Sequence, residues 1–415
     1  MKIEIPYGAE TQTVEISDKN SVEIVQPNKI VSTEAENVLL SNALNNPVES
    51  KSLEDFLADV NNLLIIVNDA QRPTPTARVL DVIKKYIEKH NFGFLIATGS
   101  HREPTEEELK FIFGRHLDKF RDRIYTHRCT DESEMIHFGE TGRGTPVKYH
   151  RLLAEADAVL TITSVEPHYF AGYTGGRKSL IPGIAAYETI SKNHKLVMEP
   201  AAANLKLEGN PVHEDMMEAF DLVKDKNYFS IQLVLDRHHR IYKAFCGDIK
   251  TALTYAARSA DEIFSVKIKE RADVVVTVPY PPLDASLYQS QKAIEHAKAA
   301  VKEGGIIILA SFCKDGLGPS TFYELLSPHS SPEEFMEKAK TNYRLGQHKA
   351  LKLVETFNIA DLWAVTGLDK SILENIFIKP FKSIQSAVDQ AISLKGSDCS
   401  FIFLLNGGMT VPKLS

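Results

Sequence analysis

Between Ser164 and Lys195 the chain holds two histidines, His168 and His194, and a lysine, Lys178, that follows Gly175, Gly176 and Arg177. Histidine exchanges a proton near neutral pH and so suits general acid and base work. Its neutral imidazole also binds metal ions. A glycine-flanked lysine before a turn suits phosphate contact or covalent attachment to a carbonyl-type group. The Walker A loop needs a glycine immediately before its lysine, and Arg177 stands there instead, which argues against a nucleoside triphosphatase. Two further polar sets lie upstream. Asp69 and Arg72 sit in Asn68–Thr76, where backbone between a strand and a helix attracts anions and arginine can grip a carboxylate or phosphate by two bonds. Thr98, Gly99 and His101 form the second set.

Each residue also has a plainer reading. A lone histidine at a strand end more often packs or caps than catalyses. Two at equivalent strand ends, His101 and His168, shift the balance towards proton transfer. A lone helical histidine such as His194 is usually a surface residue. No second ligand stands at close spacing to it, so a metal there needs donors from elsewhere. Asp69 and Arg72 can be a turn and a solvated arginine. Gln289 and Lys292, three apart on a helix, share a face that could hold a small carboxylate or could simply meet solvent.

The elements that must position these residues follow from patterning. Continuous apolar runs at Leu63–Val67, Phe92–Ala97 and Ala158–Ser164 read as strands buried on both faces. Helices are expected over 77–89 and from Thr105, where acidic residues open the first turn. The loop after 128, rich in Asp, Glu, His and Gly, reads as irregular. Strand, loop and helix in repetition predict a doubly wound α/β domain, in which ligands bind beyond the carboxyl ends of the strands. Asp69 and Arg72, His101, and His168 with Lys178 all fall at such ends. A second, smaller α/β unit begins near strand Ala272–Val278. The expected fold class is α/β, with two α/β domains, mainly parallel sheets and the active site in the interdomain cleft. The expected division is 1–268 and 269–415, with the last residues able to pack back on the first domain.

Length agrees, since single cores stop growing near roughly 250–300 residues and the chain has 415. With 43% hydrophobic and 25% charged residues it reads as a soluble globular protein. A net charge of -7 argues against nucleic acid as a partner. Four scattered cysteines form no CxxC pair, so neither a zinc ribbon nor a disulfide framework is expected. No apolar run approaches the roughly 18 residues of a membrane span, and no secretory signal is visible. The expected location is cytoplasmic.

Taken together, NDAQRPTPT (Asn68–Thr76), TGSHR (Thr98–Arg102), EPHYFAGYTGGRKSLIPG (Glu166–Gly183), His194 and YQSQK (Tyr288–Lys292) resemble the lactate racemase catalytic subunit family, the nickel-pincer enzymes. The resemblance covers nearly the whole chain. It implies a nickel-pincer nucleotide, a nickel-bearing pyridinium mononucleotide in which two sulfurs and a ring carbon hold the metal. It implies covalent attachment of that cofactor at Lys178 and nickel ligation by His194. His101 and His168 would be the paired acid and base. Asp69, Arg72, Thr98, Gly99, Gly175 and Gly176 would lie along the cofactor. Arg72, Tyr288, Gln289 and Lys292 would bind the substrate. The missing donors around His194 would then come from the cofactor. The implied reaction is inversion of C2 in a lactate-type 2-hydroxy acid through a 2-keto acid. Implied partners are that small molecule and proteins that make or insert the cofactor; monomer and homodimer both remain open. Substrate choice is expected to reside near Pro281–Tyr288 and Trp363. The alternatives are the same chemistry on a sugar acid or longer 2-hydroxy acid, a zinc hydrolase built on His101, His168 and His194, and a cofactor carrier without turnover.

Overall fold

The computed structural model describes residues 1–341 and 343–415. The chain divides into two compact units, Lys29–Ile263 and a second made of Met1–Asn28 with Phe264–Ser415. The sequence places the first 28 residues with the N-terminal domain. They group instead with the C-terminal unit, because strand Val22–Val25 hydrogen-bonds in parallel to Phe401–Leu405. That pairing joins residues nearly a whole chain apart and leaves no local trace. The last strand, Val411–Leu414, pairs with Ser265–Ile268 within the same unit.

The Lys29–Ile263 unit is built on a six-stranded sheet. Its order is Ile241–Gly247, Asn227–Leu235, Ala158–Ser164, Asn62–Asn68, Asn91–Ala97, Ile124–Thr126. All neighbours are parallel except Asn227–Leu235 with Ile241–Gly247. Strand Asn62–Asn68 is first in sequence, and its successors lie on opposite sides of it. The switch point, where two loops leave in opposite directions, therefore falls between its carboxyl end and that of Ala158–Ser164. Ala158–Ser164 is buried at every residue, as a central strand covered on both faces must be. Helix Thr76–Ile87 covers one face with Val79, Leu80, Ile83 and Ile87, each fully buried. Helix Glu106–Phe113 starts with a full capping box, Thr105 and Glu108 each bonding the other's backbone N–H. The segment read as an irregular loop is an antiparallel hairpin, Met135–Glu140 with Pro146–His150.

The second unit carries a parallel six-stranded sheet in the order Lys379–Phe381, Ala360–Val365, Val301–Ala310, Ala272–Val278, Phe401–Leu405, Val22–Val25. Helix Leu287–Ala297 links Ala272–Val278 to Val301–Ala310 and is capped by Ser286, whose hydroxyl accepts from the Gln289 N–H. Trp363, expected near a selectivity pocket, lies in a core strand, is 2% exposed and stacks on Phe381 with ring centroids 4.8 Å apart. It packs this core. Among the described residues no helix is long and apolar enough to cross a membrane.

Candidate active site

A cleft of about 430 Å³, counted with its open mouth, lies at the switch point of the Lys29–Ile263 sheet. Asp69, Arg72, Thr98, Gly99, His101, Gly175 and Lys178 all line it. Three loops meet there, one from each central strand end, and two of them are tied by a backbone bond. The Gly99 N–H donates to Gly183 O at 3.0 Å, and the Gly183 N–H to Lys178 O at 3.1 Å. A hydroxyl and amide chain runs beneath: Thr74 Oγ1 donates to Asn68 Oδ1 at 2.9 Å and lies 2.8 Å from Ser164 Oγ.

Asp69 is buried and its Oδ2 lies 2.7 Å from Nδ1 of His101, a ring left open to the cleft. A carboxylate bound at Nδ1 places that nitrogen's proton and leaves Nε2 as the proton-exchanging atom. His168 is held differently. Its Nδ1 accepts the Ala171 N–H at 3.3 Å, and its Nε2 lies 3.5 Å from Lys178 Nζ. Burial, with Lys178 and Arg72 nearby, holds the His168 ring well below the usual histidine range, so it is uncharged at neutral pH. Lys178 is only partly buried but is also held well below the ordinary lysine range, first by desolvation and then by Arg177 and Arg72. The shift favours the neutral, nucleophilic form of its amine. Arg72 Nη1 donates to Glu166 Oε1 at 3.0 Å, a pair that fixes the guanidinium at the rim.

His194 lies on helix Tyr187–Lys195 and is 6% exposed. Phe170 links it to the other reactive groups. That ring meets His194 edge-on at 5.1 Å and His168 at 4.5 Å, and it lies 5.5 Å below Lys178 Nζ. The helix is anchored one residue earlier. Asn193 Nδ2 donates to Asp215 Oδ2 at 2.8 Å, and Thr141 and Thr145 occupy the rest of that buried carboxylate.

Gly175 has φ +86, and a Cβ there would stand 2.5 Å from Val165 Cγ2. The glycine is thus demanded by the protein's own packing as well as by its place on the cleft wall. Gly176, expected to face a cofactor, does not line the cleft; its neighbours are Gln232 and Ile249 O in the interior. Tyr288, Gln289 and Lys292 lie on helix Leu287–Ala297 of the other unit. Lys349 Nζ sits 3.8 Å over the Tyr288 ring and donates to Tyr288 O at 2.7 Å. Sequence reasoning missed Glu166, Phe170 and Arg177, although all three lie within the stretch it singled out. Among the described residues no group of three or more His, Cys, Asp or Glu side chains could hold a metal ion, so the triple-histidine zinc site has no assembled ligand set.

Comparison with known proteins gives a consistent picture. Residues 7–205 match the family model described as the lactate racemase N-terminal domain, and residues 267–411 match the C-terminal one. The chain is 32% identical to a lactate racemase of Thermoanaerobacterium thermosaccharolyticum, covering 99% of this chain and 98% of that protein. It is 30% identical to a lactate racemase of Lactiplantibacillus plantarum, with 98% of each covered. The structure of the lactate racemase apoprotein from T. thermosaccharolyticum superposes with a TM-score of 0.90 at 30% identity over the full length of both chains. A Thermotoga maritima protein shares the fold at 17% identity, with a TM-score of 0.69 over 92% of this chain and all of that one.

Proposed function

The chain belongs to the lactate racemase family, and from that premise we propose that it inverts C2 of a lactate-type 2-hydroxy acid using His101 and His168. It is an isomerase of the racemase type, working by the nickel-pincer-dependent chemistry of 2-hydroxy-acid racemases. The observation that carries the site assignment is one cleft lined by the carboxylate-bound His101 and by Lys178, with His168 Nε2 3.5 Å from the Lys178 amine.

Family membership implies the nickel-pincer nucleotide, and the residues present fit it. Lys178 offers an amine on the cleft wall where a covalent link is needed. Arg72 suits an anionic ligand, as a nucleotide's phosphate requires. His194 would supply the protein ligand to nickel, and Lys178 the attachment. When bound, this group supplies a hydride acceptor, which spares the weakly acidic C2–H from leaving as a proton.

The protein's own residues do the rest. His101 Nε2 takes the hydroxyl proton of one enantiomer, with Asp69 holding the ring and stabilising the imidazolium formed. His168 Nε2 serves the other enantiomer. Arg72, held by Glu166, binds the substrate carboxylate, and Tyr288, Gln289 and Lys292 are proposed to share in binding the substrate. Dedicated proteins are proposed to make and insert the cofactor. Incubating holoenzyme with single enantiomers of lactate, longer 2-hydroxy acids, malate and sugar acids, followed by chiral chromatography, tests this reading. Inversion of lactate-type acids is expected; inversion confined to sugar acids would move the substrate, and no inversion of any would refute it.

A further inference from the structure

Arg177 heads the largest fully buried side chains and is 1% exposed. Among the described residues no carboxylate pairs with it. Its guanidinium donates instead to three carbonyls of one loop: Nη2 to Ala171 O at 2.7 Å, and Nη1 to Thr174 O at 3.3 Å and Gly175 O at 3.2 Å. Its Nε has no hydrogen-bond partner. A buried charge without a counter-ion is costly, so its presence asks for a use.

That loop carries the reactive groups. Its Ala171 N–H donates to His168 Nδ1, and its Gly175 O accepts the Lys178 N–H at 3.0 Å. One guanidinium therefore grips both ends of the turn on which His168 and Lys178 are mounted. We propose that Arg177 is the positioning residue of the attachment point: it fixes this loop and stands as a cation next to Lys178 in the chain, so that the lysine meets an incoming carbonyl-type group as a nucleophile. The inference rests on the reading of Lys178 as the cofactor's attachment point.

The electrostatics support it. The charged and titratable groups around Lys178 are Arg177 on its own turn, Arg72 from the loop after Asn62–Asn68, and His168. The nearby carboxylates are already engaged, Glu166 by Arg72 and Asp69 by His101. Burial lowers Arg177 itself to about 9, which leaves it protonated at neutral pH. After desolvation, Arg177 is the largest influence holding Lys178 below the ordinary lysine range.

The test uses the full chain produced without cofactor and a small acetylating ester, N-hydroxysuccinimidyl acetate, across neutral to alkaline pH. The Lys178 lone pair forms the N–C bond, the N-hydroxysuccinimide anion leaves with the C–O electron pair, and the amine proton passes to solvent. Peptide mass spectrometry reads each lysine. Lys178 is expected to acetylate at neutral pH about tenfold or more faster than exposed lysines, since each unit of lowered pKa raises the free amine about tenfold. Arg177→Met should remove about tenfold of that rate, and Arg177→Lys, which keeps the cation, should restore most of it. The inference is overturned if Arg177→Met keeps the wild-type pH profile, or if Arg177→Lys is as slow as Arg177→Met. Should Arg177→Met fail to fold, the wild-type profile decides: a Lys178 reacting like the exposed lysines overturns the proposal. Fast Lys178 acetylation with no cofactor adduct on the holoenzyme would contradict the attachment reading alone and leave the role of Arg177 standing.

Discussion

Asp69 Oδ2 lies 2.7 Å from His101 Nδ1 at the rim of the cleft, with the carboxylate buried and the ring open to substrate. The pair sets which ring nitrogen exchanges protons. Asp69→Asn keeps the shape but removes the charge and permits the wrong tautomer. Steady-state kinetics should show kcat falling by about 10²-fold or more with KM changed far less. A KM effect alone would assign Asp69 to binding.

Lys178 lines the cleft, and desolvation with Arg177 and Arg72 holds its amine well below the ordinary lysine range. Lys178→Ala should abolish the cofactor mass adduct on intact protein and reduce racemisation to background. Full activity in this variant would sink the attachment.

Much of this site was legible in the sequence because its parts sit at the ends of strands that are continuous apolar runs. Leu63–Val67, Phe92–Ala97 and Ala158–Ser164 announce buried parallel strands, and parallel order brings their carboxyl ends together. The sequence thereby places Asp69, His101 and Lys178 at one edge of a sheet, beyond the carboxyl ends of its strands. Arg177 was visible only as the residue that spoils a phosphate-loop pattern. Its three carbonyl partners depend on how the 171–175 turn closes, which residue types do not encode. The Asn193–Asp215 bond spans 22 residues and the Thr141–Asp215 bond 74, so nothing local marked the support behind His194. The grouping of the first 28 residues with the C-terminal unit was hidden for the same reason.

His127 is buried behind Thr98, whose hydroxyl donates to its carbonyl at 2.6 Å. Burial lowers its ring from 6.5 to about 4. As pH falls below 6.5 the unfolded chain binds a proton that the folded chain refuses, so stability is lost with acidification down to about 4. The loss should approach about 1.4 kcal/mol per pH unit for this group. Urea unfolding at stepped pH should show His127→Gln with a shallower decline across that window, and an unchanged slope would contradict the assignment.

Gly175 combines φ +86 with a Cβ position 2.5 Å from Val165. Gly175→Ala should lower the unfolding free energy by about 1–3 kcal/mol, measured by urea titration. A neutral substitution would show that the turn adjusts freely.

The central claim is that this chain inverts C2 by moving its hydrogen as hydride, with histidines handling only the hydroxyl proton. Holoenzyme given a single enantiomer of lactate deuterated at C2, in ordinary water, tests it directly. The account predicts the opposite enantiomer with deuterium retained at C2. Inverted product carrying solvent hydrogen there, or no inverted product, would contradict it.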